Sequence, residues 1–97
     1  MTITEGTEQR LASLFTGEDR AEARRLLETG CGRNLPLLEQ ASAAELERVQ
    51  FAALKVSGGE LNKLQAAVHL AQQDWRDLLV AAGFAKNETA HQTWYPP

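Results

Sequence analysis

The sequence is short of cysteine and of long apolar runs, and each shortage excludes a class of protein. Cys31 is the single cysteine, so no internal disulfide can form, as is usual in a reducing cytosol. No apolar run is long enough to cross a bilayer, and the opening MTITEGTEQR lacks the apolar core of a signal peptide. We therefore expect a cytoplasmic protein that does not contact a membrane.

Strand patterns are also missing, because no run alternates between apolar and polar residues over five or more positions. The net charge of −3 is mild and disfavours an electrostatic hold on nucleic acid. A chain of 97 residues, 43% of them hydrophobic and 24% charged, has the size and composition of one ordinary globular domain. The sequence predicts a single all-α domain over residues 1–97.

The longest helical pattern covers about residues 60–82. Apolar residues recur there at alternating spacings of three and four, the pattern of one apolar stripe that faces a partner. The stripe consists of Leu61, Leu64, Val68, Ala71, Trp75, Leu78 and Ala82. Asp74 is a good capping residue, so the segment is either one continuous helix or is bent near Asp74. Gly83 and Phe84 are expected to close it in a Schellman motif.

A broadly apolar helix is predicted just before it, over about residues 43–56. Ser42 and Glu45 have the S-x-x-E spacing of a capping box at its start. We expect the helices over 43–56 and 60–82 to form an antiparallel hairpin at the centre of a compact bundle of about five short helices.

The turn between these two helices allows two interpretations. Ser57 and Glu60 repeat the S-x-x-E spacing and could form a second capping box. Alternatively, Gly58 or Gly59 could close the preceding helix in a left-handed conformation. In both cases the chain reverses direction here.

Shorter elements are predicted on either side of the central pair. Residues 1–6 should be frayed, Thr7 can cap a first helix that runs to about Thr16, and Thr16 can open a second. Asn34 can cap a short helix over the sequence LPLLEQ. The aromatic and proline content of residues 84–97 predicts a tail that packs back on the bundle.

Residues capable of chemistry are few. Cys31, two residues before Arg33, is either a stabilised thiolate or a small packing residue at a helix end. Packing is preferred because no histidine or second cysteine lies nearby in sequence. His69 is expected at the surface and His91 beside Trp94. Cys31 and the histidines lack zinc-ligand spacing, so we expect no catalytic residue, metal or cofactor, with thiol chemistry at Cys31 as the one exception.

Basic residues concentrate in one third of the chain, at Arg20, Arg24, Arg25 and Arg33. Acidic residues interleave with them, which favours a salt-bridged solvent face over a nucleic-acid site. A nucleic-acid-binding regulator that uses the Arg24–Arg33 region is nevertheless the main alternative function.

The leading hypothesis is a small protein-interaction or regulatory module that can form a homodimer. We expect the apolar side chains outside the main stripe to exceed what so small an interior can cover, unless the first helix or the C-terminal tail lies over them. Leftover apolar surface marks a contact with a protein or with a second copy. The residues expected to form that surface are Phe51, Leu70, Trp94 and Tyr95. The sequence identifies no particular partner.

The strings FAALKVSGG and DWRDLLVAAGF, followed by a late histidine and tryptophan, are similar to segments of short uncharacterised bacterial proteins. The resemblance covers roughly the C-terminal half of the chain. It implies a bacterial cytoplasmic setting and no particular activity.

Overall fold

The computed structural model describes residues 3–36 and 38–96, and within these ranges the chain forms four α-helices and no strand. The helices are α1 (Glu5–Leu14), α2 (Gly17–Gly30), α3 (Ala43–Ser57) and α4 (Leu61–Ala82). The predicted all-α class is confirmed, while the expected count of about five helices is one too high. No helix within the described ranges combines the length and the apolarity that a membrane span requires.

The short helix expected after Asn34 is missing from the described part of the connection between α2 and α3, which consists of turns. Leu37, within that predicted helix, lies outside the described residues. Asn34 does not cap the segment that follows it. Its Oδ1 accepts a hydrogen bond from the Gly32 N–H at 3.2 Å, and its Nδ2 donates to the Thr29 carbonyl at 3.0 Å. The side chain thus supplies a hydrogen-bond donor to a carbonyl in the last turn of α2.

Helix α1 starts at Glu5, two residues before Thr7, so the predicted cap is wrong. Thr4 is the capping residue, and its Oγ1 accepts from the backbone N–H of Thr7 at 3.2 Å. Thr7 lies inside the helix and is buried. The start of α2 after Thr16 is as predicted, although the Thr16 side chain makes no capping hydrogen bond.

Helix α3 begins with the predicted capping box, since Ser42 and Glu45 exchange side-chain to backbone hydrogen bonds, each of 3.2 Å. Its end follows the second of the two interpretations. Gly58 is left-handed, with φ 57°, and closes α3. The Ser57–Glu60 box is wrong because Ser57 still belongs to α3, where its hydroxyl donates to the Leu54 carbonyl at 2.7 Å.

Helix α4 is bent at Asp74, whose φ of −160° and ψ of 99° are not helical. Its Oδ1 accepts from the Arg76 N–H at 3.1 Å, so the carboxylate caps the part of the helix that follows. At the far end Gly83 is left-handed and the Phe84 N–H donates to the Leu79 carbonyl at 2.9 Å. This is the predicted Schellman closure, and it turns Phe84 into the core.

The core lies between α3 and its neighbours. Helix α3 packs against both α4 and α1, and α2 packs on α4 and on α1. The α3–α4 pair is therefore not a self-contained centre. Along the α4 stripe Leu61 and Trp75 are only partly buried, and the other five residues are buried. Trp75, expected in the core, lies at its edge and donates from Nε1 to the Pro36 carbonyl at 2.7 Å.

Candidate functional site

The four residues predicted to form a contact surface occupy different environments. Phe51 is 1% exposed, which removes it from any surface. The physical reason is that α3 has neighbours on several sides, so the ring that projects away from its main stripe is covered as well. Leu70 on α4 and Trp94 in the tail are partly buried against the core, and Tyr95 is 66% exposed.

The C-terminal tail, here residues 85–96, packs against α1 and α3. The Trp94 ring meets the rings of Phe51 and Phe84 edge-on, with centroid distances of 6.1 Å and 6.2 Å. The Trp94 N–H donates to the His91 carbonyl at 3.1 Å, which closes a turn. His91 thus lies near Trp94, as the sequence predicts.

Arg10 of α1 fixes this end of the tail. Although it is only 5% exposed, its Nε donates to the Trp94 carbonyl at 3.1 Å and its Nη2 to the Gln92 carbonyl at 3.4 Å. Its guanidinium carbon also lies 4.4 Å from the ring centroid of Phe51 and 4.1 Å from that of Tyr95. A cation between two rings is attracted by both π-systems, so the Tyr95 ring is held although it is exposed.

His91 is fully buried and pairs with Glu47 of α3. The His91 Nε2 and Glu47 Oε1 atoms are 3.2 Å apart, while the hydroxyl of Thr4 donates to the other oxygen of Glu47. The imidazole edge contacts the Phe51 and Phe84 rings, with centroids at 5.0 Å and 6.4 Å. Within residues 3–36 and 38–96, its Nδ1 is the one buried side-chain nitrogen or oxygen without a hydrogen-bond partner.

The electrostatic surroundings favour the neutral form of His91. Burial lowers the pKa of the imidazole, and the positive charges of Arg48 and Arg10 act in the same direction. The hydrogen bond and the negative charge of Glu47 oppose this effect but do not reverse it. The neutral ring is therefore favoured while it is buried, and solvent reaches it only if the tail moves.

Little in the sequence indicates this cluster. Arg10 is three residues after Thr7 and four before Leu14, so helical spacing places all three on the inner side of α1. A charged residue on that side is the one local signal of a buried polar contact. Glu47 and His91 are 44 residues apart in sequence. No local pattern links them.

The other candidate groups occupy less reactive positions. Cys31 is fully buried at the end of α2, and burial raises the pKa of its thiol to about 12. His69 is exposed, as predicted, and its Nε2 lies 3.2 Å from Nε2 of Gln73. Among the residues that the structure describes, no three histidine, cysteine or acidic side chains form a group able to hold a metal ion.

The arginines of α2 are paired with carboxylates. Arg24 forms a bidentate contact with Glu8 of α1, and Arg20 lies 3.8 Å from the same carboxylate. Arg25 pairs with Glu22 one turn earlier at 2.6 Å. Glu8 belongs to α1, so the positive charge of α2 is neutralised by a neighbouring helix as well as by its own acidic residues.

A surface cleft of about 260 Å³ lies between the start of α3 and the tail. It is lined by Ser42, Ala44, Glu45, Arg48 and Glu88. Ser42 and Glu45 already satisfy each other in the capping box, and Arg48 donates to the Phe84 carbonyl from Nε at 3.0 Å and Nη2 at 2.7 Å. These polar groups are occupied by structural contacts.

In comparisons with known proteins, no family model, curated protein or solved structure matches this chain. Function is therefore inferred from the contacts of its own residues. The arrangement that stands out is an exposed tyrosine held on a buried arginine, beside a buried histidine–glutamate pair.

Proposed function

We propose that this chain is a small helical protein-interaction module whose contact surface is centred on Tyr95. The observation that carries the proposal is the 66% exposure of Tyr95 together with the position of its ring 4.1 Å from the Arg10 guanidinium. Tyrosine, tryptophan and arginine dominate the energetically important positions of protein interfaces. A ring that is already held also loses less conformational entropy when a partner binds.

The surface around Tyr95 combines aromatic residues with an arginine, the residue types that are common in protein interfaces. The neighbouring Trp94 is partly buried and packs edge-on against Phe51 and Phe84, and the Arg10 guanidinium lies over the Tyr95 ring. Leu70 lies apart, on α4, and is the second place at which a partner would find apolar area. In this proposal α3 and α4 act as the scaffold, and association with a second copy is its simplest form.

A cytoplasmic setting belongs to the same proposal. The single cysteine is a free thiol, and reducing compartments keep thiols free. The nucleic-acid alternative through the Arg24–Arg33 region has less support, because Arg24 and Arg25 are engaged by Glu8 and Glu22. A labelled duplex that shifts at low salt, and no longer shifts with Arg24→Glu, would promote it.

The surface is tested by comparing Tyr95→Ala with Val80→Ala. Both wild-type side chains are 66% exposed, so Val80 controls for the loss of exposed apolar area. The wild type and both variants are used as baits in a bacterial lysate and are examined by sedimentation velocity over a concentration series. We expect Tyr95→Ala to weaken association about 30-fold, corresponding to about 2 kcal/mol for an important interface residue, and Val80→Ala to leave it unchanged.

Circular dichroism must show the same helical content in all three proteins. If Tyr95→Ala captures the same proteins as the wild type and sediments identically, the contact surface does not lie at Tyr95. Equal losses in both variants would indicate nonspecific apolar adhesion instead.

A further inference from the structure

The tail is attached to the bundle by side-chain contacts at three points, and the structure shows no helix within it. The first is His91, which packs on the two phenylalanine rings and pairs with Glu47. The second is Trp94 against the same rings, and the third is Arg10, which holds two tail carbonyls and the Tyr95 ring. Segments held by few contacts open before the core of a protein does. We propose that the tail is a pH-released latch, which leaves the bundle when His91 takes up a proton next to Glu47.

The first support is the hydrogen-bonding state of the imidazole. A carboxylate accepts hydrogen bonds, so the neutral ring carries its proton on Nε2, facing Glu47 Oε1 at 3.2 Å. Nδ1 then holds a lone pair, and it has no donor in its surroundings. Protonation would place an N–H at Nδ1, where no acceptor meets it, on a buried ring that packs against Phe51 and Phe84. A buried charged donor without an acceptor is strongly disfavoured.

The second support is the set of charges around the ring. From α3, Glu47 attracts a proton while Arg48 repels it, and from α1 Arg10 repels it as well. Phe84, the second residue after α4, presents an apolar ring. Burial adds to the two arginines, so the pKa of docked His91 lies below its ordinary value of 6.5.

The direction of the pH effect follows from this difference. A released tail exposes His91 to water, where its pKa returns to about 6.5, so the released form binds more protons than the docked form. Docking is therefore at full strength above pH 6.5 and weakens as the pH falls below it. Between the two pKa values, each fall of one pH unit raises the ratio of released to docked tail about tenfold.

Release is read on the free protein from the fluorescence of Trp94. A Trp75→Phe background leaves Trp94 as the one tryptophan, and a titration from pH 8 to pH 5 keeps the carboxylates largely ionised. We expect the emission of Trp94 to shift to the red below pH 6.5 while the helical circular dichroism stays constant. Because no partner is present, a negative result leaves the proposed Tyr95 surface untouched.

Variants in the same background assign the titrating group. His91→Gln should abolish the pH dependence, whether its tail stays docked or is released throughout. His69→Gln is the matched control and should titrate like the parent, because His69 is exposed. Glu47→Gln removes the charge that stabilises protonated His91 in the docked form, so a larger fraction of its tail should be released by pH 5.

Three outcomes would overturn the latch. The emission of Trp94 could stay constant down to pH 5. Emission and circular dichroism could change together, which would mean that the bundle and the tail open as one unit. Finally, His91→Gln could retain the transition of the parent, which would place the titrating group elsewhere.

Discussion

Burial determines the chemistry of individual residues in this bundle, and the thiol shows it most directly. With the pKa of Cys31 raised to about 12, roughly one thiol in 10⁵ is ionised at pH 7, and the thiolate is the reactive form. Cys31 is also fully buried, so a reagent must wait for an opening of the structure. The preferred interpretation from the sequence, a packing residue at a helix end, agrees with this position.

We expect native Cys31 to react with iodoacetamide at pH 7.5 on the order of 10³-fold more slowly than free cysteine, as the difference in thiolate fraction dictates. Mass spectrometry of quenched samples measures the rate, and the same protein in concentrated urea serves as the control that should react at the free rate. A native rate close to that of free cysteine would revive the redox interpretation.

The environment of some individual residues could be predicted from the sequence, but their contact partners in distant parts of the chain could not. The spacing of His91 to Trp94 was short enough to predict that they pack together, because a turn of three residues brings them into contact. Glu47 could not be assigned to His91, since their distance depends on how the tail crosses α3. Phe51 was misplaced for a related reason, because helical periodicity does not show how many neighbours a helix has.

At the scale of secondary-structure elements, the close contact of α2 with α4 requires a residue without a side chain at the end of α2. A Cβ added at Gly30, the last residue of α2, would lie 2.3 Å from Val68 Cγ1 of α4. Alanine favours a helix over glycine by at most about 1 kcal/mol, whereas overpacking costs about 1–3 kcal/mol. At that distance the steric term exceeds the propensity term, so α2 must end on a glycine to approach α4.

Gly30→Ala should therefore lower the free energy of unfolding by about 1–2 kcal/mol, measured by urea denaturation. Val68→Ala removes the clashing methyl group and provides the matched background. There the next contact of the new Cβ is Gln72 Nε2 at 3.2 Å, an exposed side chain that can shift. The double-mutant cycle should show about 1 kcal/mol of favourable coupling. Additive effects would mean that α2 does not pack closely on Val68.

Helix ends were predictable where local side chains decide them. The Ser42–Glu45 box and the Gly83–Phe84 closure both use residues within one turn of the boundary. Asn34 shows the limit, since the same amide can cap a helix that follows or satisfy one that precedes. Hydrogen bonds to Gly32 and Thr29 take the second option, and the choice depends on the path of the connection.

The arrangement of helices in the whole molecule depends on polar contacts that periodicity cannot supply. The α4 stripe predicted which face is covered but not by which helix. One buried amide links three parts of the chain. Gln50 of α3 accepts from the Thr7 hydroxyl of α1 at 3.0 Å and donates to the Cys31 carbonyl at the end of α2 at 3.1 Å. It is 1% exposed, so water cannot replace either bond.

Gln50→Leu keeps a similar volume but leaves both groups without their partner, and each unsatisfied buried group costs about 1–3 kcal/mol. We expect a loss of about 2 kcal/mol, because the Thr7 hydroxyl can still turn to Thr4 Oγ1, 3.1 Å away. For a chain of this size, that loss lowers Tm by about 8–16 °C. Thermal unfolding followed by circular dichroism measures it.

Two further variants separate lost hydrogen bonds from changed packing. Gln65→Leu makes the same replacement at an exposed site on α4 and should change stability by no more than about 0.5 kcal/mol. Thr7→Val combined with Gln50→Leu removes the hydroxyl that no longer has the amide to bind, so the double variant should be about as stable as Gln50→Leu alone. A Gln50→Leu protein as stable as the wild type would contradict this account, because apolar burial would then outweigh the amide, and the position of α1 would depend on Arg10 and Glu8 instead.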